Sequence, residues 1–182
     1  MAKVFAGRYT AELEGSFVVF LIGMRVNRLR AIRKWLPTAL AMGPMLRTLY
    51  QHPQKGFLGG MNFRAGRTVL MVQYWRSFED LERFARDRED PHLAAWRRFN
   101  RVIGNDGSVG IFHESYLVPA GHYESIYANM PLFGLATAAR HVPITGRRNT
   151  ARERVEQPPN DVAQPADQYD PMVEISASAS GR

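Results

Sequence analysis

"TVLMVQYWRSFEDLERFARD", residues 68–87, decides how the rest of the chain is read. Its first eight residues are apolar at both odd and even positions and rich in β-branched and aromatic side chains. That pattern predicts a strand with both faces away from water. Ser77 followed by Asp80 then has the spacing of a capping box. Beyond it Phe78, Leu81, Phe84 and Ala85 form one apolar stripe of a helix over 77–87. "REDP" (88–91) ends that helix.

Working outward, "FLGGMNF" (57–63) reads as a strand whose glycines suggest a bulge or a close backbone approach. "RAGR" (64–67) is the hairpin turn into 68–75. Upstream, "FVVFLIGMRVN" (17–27) is another strand apolar on both faces. Asn27 can cap the helical "RLRAIRKWL" (28–36). Pro37 interrupts that segment, so it is a kinked helix or two short ones. "PTALAMGPMLRTLY" (37–50) continues it, with Leu40, Leu46 and Leu49 as core positions and Gly43-Pro44 as a second weak point. Downstream, "HLAAWRRFNRVI" (92–103) is helical with Leu93, Trp96, Phe99 and Ile103 on one side, and "VGIFHESYLVP" (109–119) is a strand. The order strand, helix, strand, strand, helix, strand is that of an α+β ferredoxin-like sheet, βαββαβ.

Both helical regions then lie on one face of a sheet whose strands look apolar on both. No further strand or strong helix is evident to cover the other face, so a second copy of the chain is expected there, as a dimeric α+β barrel with a cavity. The alternative is a monomer in which the segment after residue 120 folds back over that face. Residues 121–141 are apolar enough to pack onto the domain, taken as 1–145. Residues 146–182, rich in Pro, Gln, Asp, Ser and Arg, read as a disordered tail.

Composition removes several function classes. The chain has 182 residues and no cysteine, which excludes disulfides, thiolate nucleophiles and Cys-ligated metal sites and fits a cytoplasmic location. No apolar run reaches membrane-helix length, and the N-terminal stretch lacks a secretory pattern. The net charge of +7 invites a nucleic-acid reading, but the cations are spread along the folded part and lie around much of a helix, which argues for solvated faces. Neither nucleic acid nor a membrane is therefore expected as a partner, although a cationic rim that attracts an anionic substrate stays open.

The combination "GFLGG" (56–60), "YWRSFEDLERFA" (74–85), "HLAAWRRFNR" (92–101), "GIFHESY" (110–116) and "GHYESIYANMP" (121–131) resembles the fumagillin-pathway monooxygenase-like family. This group is long labelled a domain of unknown function and belongs with the antibiotic-biosynthesis-monooxygenase-like dimeric barrels. The likeness covers about residues 8–140. It implies a homodimeric barrel with a hydrophobic cavity, a place in secondary metabolism, and oxygenation of a small hydrophobic or aromatic metabolite without a bound metal or flavin. A related haem-containing aldoxime dehydratase group uses the same barrel with a histidine axial ligand. A haem enzyme and a non-catalytic ligand-binding barrel are the alternatives.

His113 and Glu114 are adjacent on a strand, point to opposite faces and cannot form a simple dyad. His113 facing a cavity is the first candidate base, and His92, in the first turn of its helix beside Trp96, is the second. Trp75, Trp96, Tyr123, Tyr127 and Glu124 are the candidate substrate contacts, suited to a flat or aromatic ligand. For each of these the plain alternative is packing. The five histidines show no metal-ligand spacing, so no metal is expected. No cofactor is expected either, with a non-covalent haem on His113 or His92 as the alternative, because haem needs one axial ligand and an apolar pocket.

Overall fold

The computed structural model describes residues 2–145 and 150–155. Its main sheet has four strands: β2 (Phe17–Val26), β3 (Phe57–Ala65), β4 (Thr68–Trp75) and β5 (Val109–Val118), in the order β3-β4-β2-β5. Every neighbouring pair is antiparallel. Each crossover therefore skips one strand, which is the split βαβ arrangement of the ferredoxin-like fold. The helices are α1 (Ile32–Gln51), α2 (Phe78–Arg86) and α3 (Pro91–Val102).

Strand parity sets the core. Val18, Phe20, Met71 and Trp75 face the helices and meet Met45 and Leu49 of α1 and Leu81 and Phe84 of α2. Ser77 caps α2 by accepting the Asp80 backbone N–H at 3.1 Å. The Asp80 carboxylate accepts Arg76 Nε and Arg83 Nη1, both at 2.8 Å, so arginines occupy the acid of the expected capping box. The register slips between Phe57 and Gly59, where Gly59 has φ +155° and the Thr137 carbonyl lies 3.0 Å from where a Cβ would stand. The glycine run thus marks both a bulge and a close backbone approach.

Three expectations need correction. The first concerns 28–50: of the two readings it is the single helix, with Pro37 and Pro44 inside it, but it starts at Ile32, and Leu40 is 65% exposed and not a core position. Asn27 is not its cap: its side-chain amide donates to the Gly107 carbonyl at 3.1 Å, pinning β2 to the turn before β5. Thr38 Oγ1 donates to the Lys34 carbonyl at 3.1 Å beside the first proline. The third concerns the outer face of the sheet. Strands do remain to cover part of it: β1 (Phe5–Glu12), β6 (Tyr127–Met130) and β7 (Arg140–Pro143) form a second sheet in the order β6-β1-β7. Ala11, Leu135 and Ala136 of this layer bury Phe17 and Tyr74 on the side away from the helices. The other end of that face stays open, with Phe112 36% and Tyr116 51% exposed.

The tail expectation, 146–182, falls outside the described residues except at 150–155. There Ala151–Arg154 make one helical turn, closed by a reciprocal Thr150/Glu153 capping box, so this short stretch is structured. No described helix is long and apolar enough to cross a membrane.

Candidate functional site

Small side chains open the site. Thr38, Ala39, Ala41 and Gly43 of α1 and Ala95 of α3 stand where larger residues would fill the space between helix and sheet. A cavity of about 340 Å³ results, walled by Ile22, Met42, Met45, Met71, Phe99 and Ile111. Its polar walls are Thr38, Asn62, His92 and Trp96, and no charged side chain lines it. It lies on the helix side of the sheet, not on the side a second copy would close. Packing accounts for both faces: the chain's own second layer covers part of the outer face near Tyr74 and leaves an open cleft beside it, while the helix side is underfilled.

A narrower recess of about 30 Å³ shares Ile22, Met42, Met45 and His92 with this cavity and runs to Phe20, Gln73, Trp75, Phe84, His113 and Ser115. His113 reaches it because β5 points His113 and Ser115 toward the helices. It pairs across the sheet with Ile22, and its ring lies 5.7 Å from that of Phe20. Glu114 points the other way, is exposed, and accepts the Tyr116 hydroxyl.

His92 comes to the same recess from α3, 8% exposed. Its Nδ1 lies 3.0 Å from the Ala85 carbonyl. A carbonyl only accepts, so Nδ1 carries the proton and the neutral ring keeps its lone pair on Nε2. Burial pushes the His92 pKa down; the Ala85 carbonyl opposes this, and the nearby His113 reinforces it. The arrangement is a neutral imidazole held by its far nitrogen, a form suited to accepting a proton or ligating an ion.

The pH consequence has a definite sign. In the unfolded chain His92 titrates near the ordinary histidine value of about 6.5. The folded value lies lower, so the unfolded state takes up the proton first as pH falls. Stability is full above about pH 6.5 and declines below it. His141 shifts the same way through burial. Urea midpoints at pH 7.5 and 5.5 should therefore fall on acidification, and His92→Gln should shrink that fall. An equal fall in the variant would show that His92 does not couple to folding.

The sequence-predicted residues divide into two groups. His113, His92, Trp75 and Trp96 all line the adjoining spaces between sheet and helices. Trp75 is completely buried and donates Nε1–H to Gln73 Oε1 at 2.9 Å. Trp96 stacks on Phe99 at 5.5 Å. Tyr123, Tyr127 and Glu124 are not brought there; they border an open cleft across the sheet with Phe17 and Tyr74. The Tyr123 hydroxyl donates to the Leu13 carbonyl at 3.0 Å and accepts the Leu13 N–H. Tyr127 accepts the Ala136 N–H at 3.2 Å, and Glu124 pairs with Arg154. These contacts fasten the second layer. Burial and the neighbouring Tyr127 push Tyr74 up to about 12, which keeps its phenol neutral.

Gln73 was not singled out by sequence reasoning, although it is the one amide inside the apolar run 68–75. At 4% exposure it joins Trp75 to Met71, whose Sδ accepts its Nε2–H at 3.4 Å, and it helps wall the recess. Among the described residues no three His, Asp or Glu side chains could hold a metal ion. For haem, His92 borders the 340 Å³ cavity as well as the 30 Å³ recess, whereas His113 lines the recess. No Lys or Arg lines the cavity itself.

Comparison with known proteins finds likenesses in both structure and sequence. Among solved structures, an aldoxime dehydratase (OxdRE) in complex with butyraldoxime superposes with a TM-score of 0.60 at 20% identity, over 79% of this chain and 44% of that one, a likeness of fold. A cofactor-independent oxygenase, SnoaB of Streptomyces nogalater, matches at a TM-score of 0.40 and 12% identity over 56% of this chain and 91% of that one, too remote to bear on chemistry. In sequence the chain is 30% identical over 151 residues to Monooxygenase af470 of Aspergillus fumigatus. That match takes in 71% of this chain and 53% of the relative, so the chain spans about half the length of the curated relative it matches. Residues 17–135, which hold the four-stranded sheet, its three helices and both histidines of the recess, match the family model described as Monooxygenase af470-like, and the chain belongs to that family.

Proposed function

We propose that this protein is a monooxygenase that takes a small apolar or aromatic molecule into the 340 Å³ cavity and oxygenates it with no cofactor of its own. The observation that carries this reading is His92: a buried neutral imidazole with Nδ1–H fixed on the Ala85 carbonyl, in the wall of an apolar cavity. Such a ring takes a proton from an acidified C–H or phenol of the substrate, and His113 lines the same recess as the second base. The resulting carbanion or phenolate is electron-rich enough to react with oxygen directly. An activated CH₂ then becomes a carbonyl, and the second oxygen atom leaves as water, so the substrate itself supplies the electrons. The chain's contributions are orientation, desolvation and the proton transfer.

The test is oxygen uptake with a panel of anthrone-like and phenolic compounds, with product masses read alongside. His92→Ala and His113→Ala should each lower kcat, at least one of them by about 10²–10⁴-fold, with KM changed less. Turnover untouched by both variants would remove the histidines from the chemistry. Binding without any turnover would make this a ligand-binding barrel. A Soret band in the purified protein that vanishes in His92→Ala would replace the reading with a haem enzyme.

A second copy is the occupant we assign to the open end of the outer face, where Phe112 and Tyr116 stand exposed beside Leu21 and Leu70. Sedimentation should give twice the 20.7 kDa chain mass, and Phe112→Glu should halve it. A wild-type monomer at micromolar concentration would end this assignment.

A further inference from the structure

The cavity contains no charge, but a cationic groove adjoins it. Between α1 and α3 runs a small groove of about 30 Å³ lined by Arg33, Lys34, Arg98 and Val102. Thr38, Ala41, Ala95 and Phe99 line this groove and the 340 Å³ cavity alike, so the two spaces share a wall. Helix periodicity explains the placement. Arg33, Pro37 and Ala41 recur every four residues along α1, and Ala95, Arg98, Phe99 and Val102 recur at three and four along α3. The same two faces that leave the cavity open therefore carry an arginine each.

Among the described residues, the charges there are answered only in part. Lys34 has its carboxylate, Asp106, which it holds well below the usual range. Arg33 and Arg98 make no ion pair or side-chain hydrogen bond with the described residues. Two unpaired guanidinium groups facing one groove repel each other, and an anion placed between them relieves that repulsion. A planar carboxylate or sulfonate suits the guanidinium fork, and the long arginine side chains can follow a mobile head group.

We infer that the substrate is amphipathic: its apolar body sits in the cavity, and an anionic group at one end is held by Arg33 and Arg98. This rests on the cavity being the substrate site, as proposed above, and names the substrate class. The body enters away from water, the head stays at the surface, and the head fixes how far the reacting carbon advances toward His92.

A matched pair of dyes tests it. 8-Anilinonaphthalene-1-sulfonate and N-phenyl-1-naphthylamine share one apolar body and differ by the sulfonate. The wild-type chain should bind the sulfonate at least about fivefold tighter at low salt, with the two dyes competing, and the preference should shrink from 50 to 300 mM salt as the Debye length shortens. The double variant Arg33→Gln/Arg98→Gln should lose the preference while keeping its affinity for the neutral dye. Arg47→Gln, an exposed arginine farther along α1, removes one charge and should keep it. A preference that survives in the double variant, with competition intact, overturns this inference alone. Failure of both dyes to bind, or binding without competition, overturns the cavity reading and this inference with it. An equal loss in Arg47→Gln would assign the preference to net charge and overturn the groove.

Discussion

Trp75→Ala should cost the fold about 3–5 kcal/mol, the range for removing a large aromatic side chain from a packed core. Trp75 has no exposed surface and sits between Phe57, 5.6 Å away ring to ring, and Phe84, 5.7 Å away. Around it the sheet contributes Phe20 and Gln73 and the helices contribute Leu49 and Leu81. The loss is of two kinds. Apolar area returns to a void that flanking rings and β4 cannot collapse into. Gln73, at 4% exposure, also loses the indole N–H that satisfies its carbonyl, and an orphaned buried acceptor costs about 1–3 kcal/mol by itself. Trp75→Phe separates the two, because it keeps most of the ring and removes only the donor. Domains of this size are stable by about 5–15 kcal/mol, so the alanine variant should show a greatly lowered denaturant midpoint with an unchanged slope. A loss below about 1 kcal/mol would mean that the tryptophan is not the keystone between sheet and α2.

Gly56→Ala is the second large effect, for a different reason. Gly56 has φ +87°, where any side chain strains the backbone by about 1–2 kcal/mol. A Cβ there would stand 2.3 Å from Asp80 Oδ2. That carboxylate cannot step aside freely: it is 5% exposed, accepts Arg76 and Arg83, and belongs to the residue whose N–H the Ser77 cap accepts. The Arg76 backbone N–H is bonded to the Gly56 carbonyl at 2.8 Å, so the turn and the start of α2 must shift together. Gly66→Ala is the control. Its φ is +58°, but nothing lies within 4 Å of the added carbon, so it should show the backbone strain alone. The difference between the two variants in thermal or urea unfolding measures the cost of displacing Asp80. Equal losses would mean that Asp80 moves freely and that the buried cluster does not order the β4–α2 junction.

The sequence by itself determined whatever depends on neighbours a few residues apart. Ser77, Asp80 and the stripe Phe78, Leu81, Phe84 name a helix because capping and a 3.6-residue period are local. The glycines at 59 and 60 announce a bulge because backbone freedom is a property of single residues. Strand parity also separated His113 from Glu114 before any packing was known. Only the tertiary structure decided the rest. Strands of four residues carry too little period to be read, so β6 and β7 became visible only through pairing with β1, more than 110 residues away, as Tyr9 opposite Tyr127 and Pro143 shows. For the same reason Tyr123 and Tyr127, near His113 in the chain, lie across the sheet from it, while His92, on a different helix, shares its recess. Parity says that two side chains oppose each other; only the packing of a helix on the sheet says which of them faces the helices. There the small residues of α1 and α3 left a cavity, and burial made one helix-start histidine a neutral imidazole.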